Sequence, residues 1–264
     1  MESKKYISMK DMAKKLGVSI PTISRALKNS PEISDQLCEK VKRLAKDMNY
    51  RPNPFAMSLR KNAPRTIGVI VPDIVTHFFS SIVKGIEEAA VANGYFVIIT
   101  TSSENSEHEK RNVENLVNMR VEGIIACLSQ DTTDYSHFLA LKDINMPVVL
   151  FDRTCMPDKF STVIADGAKS AQMATQHFID NGSHRIAFIG GPNHLDIVRR
   201  RKHGYLEALR ANKIPIEKEL VVCRKIDYQE GKIAAEQLLS LSNPPDAILA
   251  MNDTLAFAAI DVIK

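Results

Sequence analysis

Between Ile7 and Asn29 the apolar positions fall into two short helical stripes separated by a glycine. Met12, Ala13 and Leu16 stand at i, i+1 and i+4 of the first, and Ser8 with Asp11 three residues on forms its start signal. Gly17 supplies the positive φ that ends a helix sharply. Ser19 caps the second helix, and Pro21 falls in its first turn, where a missing amide costs nothing. Ile23 and Leu27 point that helix inward and leave Ile20, Thr22, Ser24, Arg25 and Lys28 facing out. A third stripe follows the turn at Pro31–Ser34, with Ser34 as its expected cap and Leu37, Val41, Leu44, Ala45 and Met48 on one face. These stripes predict a compact three-helix head over residues 1–50. The prolines of Asn49–Pro54 break the pattern, and Phe55–Arg60 has room for only a turn or two of helix. A helix that short does not hold alone in water, so propensity makes residues 51–64 a plain linker or hinge segment.

From Thr66 the period changes. Short Val/Ile-rich runs are expected as strands at Ile67–Val71, Tyr95–Thr100, Gly123–Cys127, Val148–Phe151, Thr162–Ile164, Arg185–Ile189, Leu220–Cys223 and Ala247–Ala250. Most are separated by amphipathic helical patterns, among them Phe79–Asn93, His108–Met119, Lys169–Asn181 and Val198–Ala211, with Gly94 and Gly182 as stop signals. Strands alternating with helices indicate parallel sheets covered on both faces, a doubly wound α/β body over residues 65–264. The pair Val148–Phe151 and Thr162–Ile164 has no helix between its members, which suggests a crossing from one lobe to another. The first lobe is therefore expected at about 65–160 and the second at about 161–264, joined near Arg153–Asp166. The second offers only three clear strands, and its last helical run, Thr254–Lys264, carries no stop signal.

Charge sharpens this division. Residues 1–64 hold 14 Lys/Arg and 6 Asp/Glu, a balance of +8, so with +4 overall residues 65–264 carry −4. A basic head on a mildly acidic body points to phosphate contacts at one end. Two short helices with a tight turn and a small, polar, basic outward face suit entry into the major groove, the alternative being a helical hairpin that merely packs against a neighbour. Met1–Lys10 lacks the apolar stretch of a secretory signal, and no apolar run is long enough to span a bilayer, so a cytoplasmic protein without membrane contact is expected. Cys38, Cys127, Cys155 and Cys223 are scattered without a C-x-x-C pair; reduced, mostly buried thiols are expected rather than a metal site or disulfides. Nucleophile-elbow, P-loop, zinc-protease and dinucleotide fingerprints are all missing from the sequence. No catalytic residue, metal or cofactor is expected. The competing classes are an α/β enzyme and a sugar-binding protein without DNA function; the basic head argues against the second.

Several motifs together resemble the lactose/galactose repressor (LacI/GalR) family of bacterial transcription regulators. They are D11-M-A-K-K-L-G-V-S-I-P-T-I-S-R25, N49-Y-R-P-N53, A56-M-S-L59, T66-I-G-V-I, V121-E-G-I-I, F151-D152, H184-R-I-A-F-I-G-G, R201-K-H-G-Y205 and M251-N-D253. The resemblance implies a helix-turn-helix head on a two-lobed, periplasmic-binding-protein-like body, and a regulator, expected to repress, controlled by a small effector such as a sugar or sugar derivative. Its second helix would read base edges through Ile20, Pro21, Thr22, Ser24 and Arg25, the arginine pairing bidentately with guanine. Lys10, Ser19 and Asn29 would position phosphates, and Ser8 would belong to the DNA-binding set beside them. The hinge segment would fold on palindromic operator DNA, with Leu59 as a minor-groove wedge and Asn53 and Ala56 beside it. Pro21 and Pro54 depart from commoner residues; Pro54 is tolerated only in the first turn of that helix.

In the body the same resemblance implies an effector cleft between the lobes, lined by Phe78 and Phe79, with Asp152, Arg201, Asn252 and Asp253 holding polar groups. Ile226 occupies an aromatic stacking position of some relatives. Bland readings stand beside these: Phe78 and Phe79 as core, Asp152 as a strand-end cap, and Arg201 as a solvated charge in a basic run. A homodimer formed through the body is implied by two-fold DNA sites. Family members continue past the position of Lys264, so a fragment or truncated product is expected, with exposed sheet edges and weak folding or aggregation.

Overall fold

The computed structural model describes residues 7–50 and 65–264. The chain divides into two units at Pro64/Arg65.

In the head, α1 (Met9–Leu16) begins with a full capping box: the Ser8 amide donates to Asp11 Oδ2 at 2.9 Å, and the Asp11 amide donates back to Ser8 Oγ at 3.3 Å. Gly17 closes it at φ 64°, a conformation that costs glycine nothing. In α2 (Ile20–Leu27) the Ser19 hydroxyl accepts from the Thr22 amide at 3.2 Å, and Pro21 lies in the first turn. The third helix, α3 (Asp35–Asp47), corrects one expectation. Ser34 occupies the cap position but makes no side-chain cap bond; its backbone carbonyl instead accepts from Leu37 and Cys38. Met12, Ala13, Ile23, Ala26, Cys38 and Val41 form the buried core, framed by Leu16, Leu27, Leu37, Leu44, Ala45 and Met48. The three predicted stripes therefore converge on one small core.

The body holds two parallel sheets. The first runs β2-β1-β3-β4-β5, from β1 (Arg65–Val71), β2 (Tyr95–Thr101), β3 (Gly123–Ala126), β4 (Val148–Phe151) and β5 (Ser161–Val163). Helices α4 (His77–Ala92), α5 (Ser106–Asn118) and α6 (Ser136–Asp143) connect them. The second runs β7-β6-β8, from β6 (Ile186–Gly190), β7 (Val221–Cys223) and β8 (Ala247–Ala250), with α7 (Gly167–Asp180), α8 (Asp196–Ala211), α9 (Tyr228–Leu239) and α10 (Asp253–Ile263). Each sheet has its own core, around Ile70, Leu116, Phe138 and Leu150 in the first and Phe188, Ile189, Val198 and Tyr205 in the second. The Tyr205 hydroxyl, buried in that core, donates to the Ile186 carbonyl at 2.8 Å, so its polar end is satisfied.

β5 was expected to open the second lobe. Instead it pairs in parallel with β4, Leu150 opposite Thr162, and completes the first sheet. The crossing comes after it, where Asp166 caps α7 through its side chain. A nine-residue loop without a helix suffices to return the chain to a parallel neighbour here, which local pattern does not reveal. α6 and α9 are two further helices the apolar pattern does not single out. In the first sheet the strand order reverses between β1 and β3, the topological switch at which open α/β sheets place ligands beyond the carboxyl ends of their strands.

Candidate DNA-reading and effector sites

On the head, α2 presents Ile20, Pro21 and Arg25 to solvent, with Thr22 and Ser24 half-buried beside them. Thr22 Oγ1 lies 2.8 Å from Ser19 Oγ, so that hydroxyl already has an internal partner. Arg25 Nη1 lies 2.9 Å from Glu32 Oε2, and both side chains are more than half exposed. Bonding through one nitrogen leaves the other face of the guanidinium fork for a base edge. Glu32 is a residue that the motif pattern misses, since it lies beyond the helix in the turn before α3. Asn29, just past α2, adopts φ 52°, which asparagine tolerates better than most residues. Ser8 is committed to its capping box, whereas Lys10 is exposed in the first turn of α1. Asn53, Ala56 and Leu59 lie outside the described residues.

In the body, the candidate effector residues divide. Asp152 follows β4 at φ 57° and its amide donates to the Val163 carbonyl at 3.1 Å. Burial pushes its carboxyl above the ordinary value of 3.8, while Arg153 and Arg201 oppose the rise. Arg201 comes from α8, in the other lobe; burial draws it down against the pull of Asp152, and its Nη1 donates to the Met251 carbonyl at 2.5 Å. Opposite charges from the two lobes, Asp152 just past β4 and Arg201 on α8, thus line one hollow. The hollow they share with Ile164, Gly167 and Ile197 measures only about 20 Å³, room for a single water.

The two phenylalanines part company. Phe79 is buried in the first-lobe core with Val69, Val71, Cys127 and Phe151, while Phe78 is exposed, its ring edge-on to Phe79 at 5.2 Å. The first turn of α4 places Phe79 in that core. Asn252 caps α10, its Oδ1 accepting from the Leu255 amide at 3.1 Å, with Asp253 in the first turn. The Ile226 side chain packs on the second-lobe core, filling space that Gly191 leaves open; its Cγ1 is 2.6 Å from where a Cβ on Gly191 would be. What Ile226 offers the first lobe is its backbone: the Ile226 amide donates to Gln130 Oε1 at 2.7 Å.

Three residues absent from the motif pattern surround this contact. Arg153, 6% exposed, donates to both oxygens of Glu104 at 2.8 and 2.6 Å and to the Leu128 carbonyl at 3.3 Å. Its guanidinium also lies 6.0 Å from the Phe79 ring centroid. Glu104, held at φ 57°, accepts the Gln130 amide at 2.8 Å. Sequence spacing could not bring positions 104, 130 and 153 together.

The family model described as "Bacterial regulatory proteins, lacI family" matches residues 8–53, and that described as "Periplasmic binding proteins and sugar binding domain of LacI family" matches residues 64–264. The chain belongs to the LacI family. Among relatives of this LacI-family chain, the repressor CytR of Escherichia coli strain K12 is 31% identical over 258 residues, 97% of this chain and 75% of its own length. Catabolite control protein A of Priestia megaterium is 31% identical over 255 residues, 96% of this chain and 76% of its own. The crystal structure of the lac repressor dimer bound to operator and an anti-inducer superposes with a TM-score of 0.76 at 26% identity, covering 98% of this chain and 78% of that one. A CelR–cellobiose complex gives 0.69 at 28% identity, covering 97% and 77%. The LacI-family chain is a DNA-binding transcriptional regulator with an effector-binding body. Among the described residues, no helix is long and apolar enough to cross a membrane.

Proposed function

We propose that this regulator represses transcription by binding a palindromic operator as a homodimer, under control of a sugar or sugar derivative held between the two lobes. The observation that carries the reading is the pairing of two surfaces on one chain. One is an exposed α2 face with Arg25 on a head of +8; the other is Asp152 and Arg201 meeting across the cleft of an acidic body. Arg25 with Ile20, Pro21, Thr22 and Ser24 reads base edges, and Lys10, Ser19 and Asn29 take phosphates. Asp152 and Arg201 offer an acceptor and a donor fork at one point, the chemistry that holds vicinal hydroxyls. Differential affinity of the effector for two arrangements of the lobes is what lets it change the DNA-binding state. Bound relatives support this assignment: the lac repressor carries operator and anti-inducer together, and CelR carries cellobiose.

The test is selection of genomic DNA fragments by the purified chain at two salt concentrations. One imperfect palindrome, enriched steeply at the lower salt, is expected. A folded dimer that selects no DNA would refute the reading.

A further inference from the structure

We infer that Gln130 is a latch between the lobes, and that its grip reports the state of the effector cleft. This deepens the effector reading above and rests on it. Gln130 leaves the end of β3 in the first lobe, yet its side-chain oxygen accepts the Ile226 amide of the second at 2.7 Å. The residue is only 8% exposed, and a buried amide donor left unpaired is expensive, so the bond is worth more here than on the surface.

Gln130 is held in turn. Its amide donates to Glu104 Oε2, Glu104 binds Arg153, and Arg153 lies over the Phe79 ring. Arg153 is the chain neighbour of Asp152, and Phe79 touches the exposed Phe78. A chain of part-buried hydrogen bonds therefore runs from Arg153, the neighbour of the cleft carboxylate, through Glu104 and Gln130 to the loop of the other lobe. Ile226 stands immediately before Asp227, whose side chain caps α9 by accepting from the Glu230 amide at 2.8 Å. A pull on the Ile226 amide thus acts on the start of a whole helix. Because this bond joins the two lobes, a rearrangement that parts them at this point breaks it. A bond made in one arrangement and broken in the other biases a two-state equilibrium.

Hydrogen exchange of the full chain and of Gln130→Met, which keeps the volume but removes the acceptor, tests this. The Ile226 amide is expected to exchange about tenfold faster in the variant. The Cys127 amide, bonded to the Ile70 carbonyl at 2.9 Å within the first lobe, should be unaffected and so reports an intact fold. The second measurement uses the wild-type chain. A panel of uncharged pentoses, hexoses and nucleosides is screened for compounds that alter affinity for the selected DNA, and Ile226 exchange is followed at saturation. Altered Ile226 protection with an active compound, and at least a threefold shift in its half-effective concentration in Gln130→Met, support the latch. An active compound that leaves Ile226 protection and the variant's response unchanged overturns it while the effector reading stands. Faster exchange at Ile226 with no active compound of any class overturns the effector reading, and with it the switching role of Gln130.

Discussion

Truncating Ile23 to alanine separates what the head contributes from what the body contributes. Ile23 is fully buried between Met12, Ala26 and Val41. The change removes three carbons, about 2.4 kcal/mol of transfer free energy at roughly 0.8 kcal/mol each. A residual cavity of about 80 Å³ adds roughly 2 kcal/mol at about 24 cal/mol per Å³. The total, about 4 kcal/mol, matches the roughly 3–5 kcal/mol that a core in a unit under about 70 residues supplies. Each head should therefore be between about five-sixths and about one-sixth folded at 25 °C. With apparent affinity scaling as the competent fraction of each of two heads, binding to the selected operator should weaken by about 1.5-fold to about fortyfold. The assay pairs DNA titration with hydrogen exchange across α1–α3 and across β1–β3. Protection should fall in the helices and persist in the strands. A variant with full head protection and unchanged affinity would refute the packing deduced for α2.

Replacing Glu32 with glutamine frees Arg25 from its ion pair; non-specific DNA affinity should rise, the salt slope should steepen by about one, and discrimination at one guanine should relax, as read by titrations on matched and substituted sites. Asp152→Asn tests the raised carboxyl. An acid whose pKa is higher in the folded than in the unfolded state costs stability as pH rises above its ordinary 3.8, so the variant should be more stable at neutral pH and should lose that part of the pH dependence, while its response to effector weakens. Denaturant midpoints from pH 3 upward measure the first effect, and equal midpoints at neutral pH would contradict it. Gly204→Ala in α8 would place a Cβ 2.0 Å from the Ala168 carbonyl oxygen of α7. Since backbone cannot yield like a flexible side chain, a loss of about 1–3 kcal/mol or more is expected, seen as a lower thermal midpoint of the body.

The sequence by itself determined the parts whose causes are local. Ser8 and Asp11, Gly17, Ser19 and Pro21 each act within one helical turn, so α1 and α2 were legible to the residue, as was the inward turn of Ile23. The alternation of Val/Ile runs with amphipathic stripes revealed the parallel α/β body for the same reason. Only the tertiary structure decided which sheet β5 joins, because parallel pairing depends on how far a loop reaches and not on the strand's own composition. It also decided that Phe79 is buried while its neighbour Phe78 is exposed, and that the Ile226 amide reaches Gln130 of the first lobe. The Arg153–Glu104–Gln130 set was invisible for a physical reason. Its members are separated by 23 to 49 residues along the chain, and a largely buried ion pair is defined by the desolvation its surroundings impose, which no residue carries in its own identity.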